Sequence, residues 1–133
     1  MNAEEMGDNP QLAKSVVHDL NRDPRLPFGD AEFDGAMCAV SIQYLTHPVL
    51  VFRELRRVLR PGAPFVVSFS NRCFPTKAVS IWHELDDRGH VALVAELLAE
   101  AGNWDNITRL DRSAARRGRG DPLFAVVGRR RGP

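Results

Sequence analysis

Cysteine is nearly missing from this chain: Cys38 and Cys73 are the two among 133 residues, too few for a disulfide framework. No apolar run approaches the roughly 20 residues that a membrane span needs, so no membrane contact is expected. The start, Met1-Asn-Ala-Glu-Glu-Met6, has neither the basic flank nor the apolar stretch of a secretory signal. The expectation is an intracellular, reduced, soluble protein, cytoplasmic by default, with organelle targeting left open should Met1 be an internal start. Lysine is scarce as well, Lys14 and Lys77 being two of 18 basic residues.

Net charge is close to absent at +1, but it is unevenly spread. From Arg112 to Pro133 there are seven arginines against Asp121 alone, about +6, which leaves 11 basic and 16 acidic residues before Arg112, about −5. Clustered arginines can bind phosphates. Here no aromatic residues interleave with them for base stacking, so a solvated surface is expected rather than a nucleic-acid partner.

Periodicity alternates between strands and helices. Ser15 to Leu20 reads as a short buried strand ending near Asp19, followed by a loop punctuated by Pro24, Pro27 and Gly29. Phe33 to Ser41 is almost unbroken apolar sequence after Asp34, as in a strand covered on both faces. Thr46 is placed to cap a helix that has Pro48 in its first turn and runs to Leu59. Its apolar stripe is Val51, Leu55, Val58 and Leu59, with Arg53, Glu54, Arg56 and Arg57 on the wet side. Pro61-Gly62 stops it.

Pro64 to Phe69 is the next strand, 76–85 a short helix carrying Trp82, and His90 to Ala101 a longer one stopped by Gly102. Two closing strands, Asp105 to Asp111 and Leu123 to Gly128, flank an arginine-rich loop and read as an antiparallel hairpin. Strands separated by helices imply right-handed crossovers, a mostly parallel sheet and helices on both faces.

The densest pattern is Leu26-Pro-Phe-Gly-Asp-Ala-Glu-Phe-Asp34, an apolar strand, Tyr44-Leu-Thr-His-Pro48, then Phe52-Arg-Glu-Leu-Arg-Arg-Val-Leu-Arg-Pro-Gly62 and a strand. In order and spacing it resembles the class I S-adenosylmethionine-dependent methyltransferases, specifically the type 11 methyltransferase domain family. The resemblance implies an α/β Rossmann-like sheet of strand order 3-2-1-4-5-7-6 with S-adenosyl-L-methionine at the carboxyl ends of the strands, and it covers the chain from the family's third strand onward. The family's glycine-rich turn after its first strand has no counterpart: Gly118-Arg-Gly120 lies between the last two strands with no helix after it. The residues before Ser15 cannot hold a βαβ unit of about 30 residues. The expectation is therefore one partial domain over residues 1–133, an amino-terminally truncated methyltransferase with impaired or no cofactor binding by itself. The strand at Phe33 would keep an open edge through which copies could associate.

The resemblance implies cofactor contacts at Asp19, Leu20, Ser41 and Ile42, and contacts to a small-molecule methyl acceptor at Tyr44, Asn71 and Arg72; Ser70 lines the same face. Asp19 would accept a hydrogen bond from the adenine amino group, the plain alternative being an Asp that caps its loop. Tyr44 could equally be a packed aromatic at a helix entrance. No catalytic residue is assigned, since methyl transfer needs chiefly a positioned acceptor. His83, Glu84, Asp86, Asp87 and His90 lack the spacing of a metal-binding helix and read as polar loop. His18 reads as a packed strand residue, Cys38 as a buried inert thiol, Cys73 as no nucleophile, and Asp34 as a ligand of the preceding turn. A reading from a different class is a non-catalytic, methyltransferase-like interaction module whose arginine tail meets an acidic partner.

Overall fold

The computed structural model describes residues 4, 8–71, 76–113 and 122–132. Its elements are β1 (Ala36–Ala39), a 3-10 turn (Ile42–Tyr44), α1 (Pro48–Val58), β2 (Pro64–Phe69), α2 (Ser80–Glu84), α3 (Asp87–Ala101), β3 (Trp104–Asp111) and β4 (Phe124–Arg130). The strands form one sheet of order β1-β2-β4-β3. β1 runs parallel to β2, with Cys38 opposite Val67, and β4 is antiparallel to both β2 and β3. The last strand in sequence therefore inserts between its predecessors, as the resemblance implies for the family's final three strands.

Alternation in β2 decides where the core lies. Phe65, Val67 and Phe69 are fully buried while Pro64, Val66 and Ser68 are half-buried, as a period of two requires when one face is covered. The helices cover that face. Phe52 of α1 meets Phe65 edge to face at 5.3 Å, Phe65 continues to Trp104, and Trp82 of α2 stands edge-on to Phe69. Val94 and Leu98 of α3 close the same cluster. The expected helices on both faces are thus not found among the described residues, because both crossovers leave the sheet on one side.

Several boundaries depart from the sequence reading for identifiable reasons. Residues 15–20 are not a strand: no described strand lies alongside to take its hydrogen bonds, and Val17 is left 65% exposed. His18 accordingly sits in a loop, donating from Nε2 to the Asp23 carbonyl at 2.9 Å. β1 has four residues rather than nine, and Met37 is 68% exposed, so one of its faces is open. His47, not Thr46, precedes α1, without a side-chain cap; Thr46 Oγ1 bonds Asn21 instead. Gly62 and Gly102 both hold φ near +80° at the helix stops, where a side chain would be strained.

The arginines have structural duties. Arg56 on the expected wet side donates from Nη1 to the carbonyls of Ala101 (3.2 Å) and Gly102 (3.0 Å), tying α1 to the end of α3. Arg129 donates to Gly62 O, Arg130 to Leu59 O, and Arg131 pairs with Asp105, so this end of the basic tail is spent on the chain's own turns and strand. Asp34 pairs with Arg60 rather than with its preceding turn. Arg116, Arg117, Arg119, Gly118 and Gly120 lie outside the described residues, as do Arg72 and Cys73.

Candidate functional site

The carboxyl end of β1 combines a left-handed backbone at Val40 with a buried carboxamide at Gln43. The strand stops at Val40, whose N–H donates to Ser68 O at 2.8 Å and whose φ is +50°. A β-branched residue in the left-handed region is strained, and strain of this kind persists only where surrounding contacts impose it. After it comes the 3-10 turn carrying Gln43, which is fully buried. Its Nε2 reaches Val40 O at 3.5 Å and its backbone carbonyl accepts from Val79 N at 2.9 Å, while its Oε1 has no donor.

Asn21 organises the opposite side. Its Nδ2 donates to Tyr44 O at 2.9 Å, and its Oδ1 accepts from Thr46 N at 3.0 Å and Thr46 Oγ1 at 3.2 Å. One amide thereby fastens the Asp19–Leu26 loop to the entrance of α1. Asp19 caps that loop: Oδ1 accepts from Asn21 N at 3.0 Å and the carbonyl from Asp23 N at 3.0 Å. Sequence reasoning missed Asn21 and the burial of Gln43. An Asn two residues after an Asp was a usable turn signal, whereas nothing in the sequence marks Gln43 as buried.

The loop is also held from α1. Glu54 Oε1 accepts from Leu26 N at 2.9 Å, and Arg57 Nη2 donates to Leu26 O at 3.1 Å. The helix thus satisfies both backbone groups of Leu26, as a neighbouring strand would. Arg57 is doubly bonded to Glu54 and also pairs with Asp30 at 2.8 Å. The Arg57 guanidinium holds the Glu54 carboxyl below the usual carboxylate range, with the Leu26 N–H assisting and partial burial opposing.

Between loop and strand lies an apolar cleft of about 250 Å³ along the open edge of β1. Leu20 and Ser41 both line it, with Leu26, Cys38, Ala39 and Leu45. The Cys38 thiol, 3.3 Å from Ser41 Oγ, is pushed up by burial, with the Ser41 bond acting the other way. The structure therefore brings together Leu20 and Ser41, with Asp19 next in the chain at the loop turn. Ile42 is buried against a different cavity, Tyr44 is half-buried at the Asn21 clamp, and Asn71 is exposed after β2.

The polar run at 83–90 is resolved differently. Asp86 caps α3 by accepting from Gly89 N at 2.8 Å. His90 is buried, stacks on Trp82 at 3.7 Å and donates from Nε2 to Trp82 O at 2.7 Å. Among the described residues no cluster of three or more His, Cys, Asp or Glu is placed to hold a metal ion, and no helix is long and apolar enough to cross a membrane.

Comparison with known proteins gives a consistent picture. The family described as "Methyltransferase domain" matches residues 1–67. The chain is 29% identical over 89 residues to the biotin biosynthesis bifunctional protein BioHC of Teredinibacter turnerae, covering 67% of this chain and 16% of that protein. It is 33% identical over 67 residues to the malonyl-[acyl-carrier protein] O-methyltransferase of a Marinomonas species, covering 50% and 25%. The chain thus spans a quarter or less of these relatives. Among solved structures, the [4+2]-cyclase SpnF superposes with a TM-score of 0.64 at 19% identity, over 98% of this chain and 61% of that one. A methyltransferase from Methanosarcina mazei gives 0.63 at 14% identity, over 98% and 76%.

Proposed function

Since this chain belongs to the methyltransferase domain family, with S-adenosyl-L-methionine as the cofactor that goes with it, we propose that it methylates a small-molecule acceptor. We further propose that residues 1–133 form one partial methyltransferase-like domain whose cofactor site is incomplete by itself. The observation that carries this reading is the apolar cleft on the open edge of β1, lined by Leu20 and Ser41 and flanked by the Asp19 turn. When bound, S-adenosyl-L-methionine supplies an electrophilic methyl group on a sulfonium that already carries positive charge.

This chain's own residues would hold one wall of the site. Leu20, Leu26 and Leu45 exclude water from the slot. Asp19 would meet the adenine amino group with its carboxylate, and Ser41 would add a hydroxyl. Tyr44, Asn71 and Arg72, which follow the two parallel strands in sequence, would contact the acceptor. The opposite wall needs backbone that approaches the cofactor closely, the office of a glycine-rich turn, and the sequence carries no such turn in front of a helix.

Calorimetric titration with S-adenosylhomocysteine tests the reading. No saturable binding is expected from this chain, and binding is expected from a version extended upstream of Met1. Micromolar binding by the 133 residues alone would overturn the incompleteness, and binding by the extended form that is unchanged by Asp19→Ala would remove Asp19 from the site.

A further inference from the structure

A second cavity of about 220 Å³ backs onto the first. Leu45 is common to the two linings, so the cavities meet at this residue. Ile42 joins Leu45 from the turn after β1, Ile81 and Trp82 come from α2, and Leu93 and Leu97 from α3. The lining is apolar apart from Thr46, whose hydroxyl is tied to Asn21, and the indole N–H of Trp82, which is buried without a partner. The Val79 N–H on the Gln43 carbonyl hangs α2 from the turn and keeps Ile81 and Trp82 on the cavity.

Two properties narrow the occupant. Sites that enclose a whole drug-sized ligand run to roughly 300–1,000 Å³; this cavity is smaller and holds only part of a molecule. Its lining is mostly apolar side chain, with Thr46 Oγ1 already bonded, and Ile81 is left 48% exposed at its edge, so filling it with hydrocarbon removes apolar surface from water at little polar cost. We propose that it receives the aliphatic portion of the methyl acceptor, whose nucleophilic end passes Leu45 towards the β1 cleft. This rests on the methyltransferase reading and deepens it, defining the acceptor as amphipathic.

The probe is octanoate, followed by the methyl NMR signals of this chain. Saturable shifts are expected at Ile81, Leu93 and Leu97, with Leu26 and Leu55, which line only the first cleft, unmoved. Ile81→Asp places a charge at an exposed rim position and should weaken octanoate at least about tenfold; Leu93→Phe, filling the space, should weaken it without adding charge. Shifts confined to Leu26 and Leu55, shifts insensitive to both variants, or shifts that follow protein rather than octanoate concentration would overturn the proposal. The upstream-extended chain separates the two readings. Retained S-adenosylhomocysteine binding without octanoate shifts overturns only the cavity's role, whereas octanoate shifts with no S-adenosylhomocysteine binding overturn the methyltransferase reading on which it rests.

Discussion

Glu54 is the residue that makes the Leu26–Asp34 segment and α1 one unit. It accepts a backbone N–H across 28 positions of sequence and fixes Arg57, which in turn holds Leu26 O and Asp30. Charge-assisted bonds of this sort are worth about 1.5–3 kcal/mol each when a partner is deleted, so Glu54→Gln should lower the unfolding free energy by about 1–2 kcal/mol at neutral pH. The pH dependence has a definite sign. Because the carboxyl titrates lower in the folded chain than in the unfolded one, its contribution is complete above the ordinary carboxylate range and disappears as pH falls through the depressed value. Urea unfolding between pH 7 and pH 3 should show an acid-side decline that Glu54→Gln flattens. Val40 is the second informative residue. Its left-handed backbone costs about 1–2 kcal/mol that glycine would not incur, and its side chain is half exposed, so Val40→Gly should raise the denaturation midpoint; a drop would show that the valine's packing outweighs its strain.

Among the elements, α3 depends most on its ends. Its first turn is capped by Asp86, its last turn stops at Gly102, and Arg56 takes the terminal carbonyls. Asp86→Ala should cost about 1 kcal/mol, within the range for lost N-caps, and lower the thermal midpoint by several degrees while leaving α1 signals in place. The stack of His90 on Trp82 joins α3 to α2, which explains why a histidine that reads as loop polarity in sequence is a packed one. β2 and the β3–β4 hairpin, each with hydrogen-bonded neighbours in the sheet, match their sequence reading to within one or two residues. The segment at 15–20 does not, because strand formation needs a neighbour as well as an apolar pattern.

For the whole molecule the open side of the sheet is the governing feature. Among the described residues β1 has one hydrogen-bonded neighbour, and Met37 stands 68% exposed on the uncovered face. Exposed apolar strand edges associate. Light scattering after size exclusion should show concentration-dependent species larger than 14.8 kDa, and Met37→Lys should shift them towards the monomer; a stable monomer at all concentrations would count against an open edge.

The sequence alone determined the fold class, the order of the elements after Asp34, the glycine stops and the family, because each rests on local chemistry: period-two burial, helix termination and the spacing of the Leu26–Gly62 pattern. It could not assign helices to one face of the sheet, reveal that Arg56 and Arg57 bind backbone carbonyls, or bury Gln43. Nor could it bring Leu20 and Ser41 into one cleft that shares Leu45 with a second. Those outcomes depend on which surfaces meet across 20 to 70 residues of chain, and it was tertiary packing, where an unpaired strand loses to a loop and a charged side chain finds a distant carbonyl, that decided them.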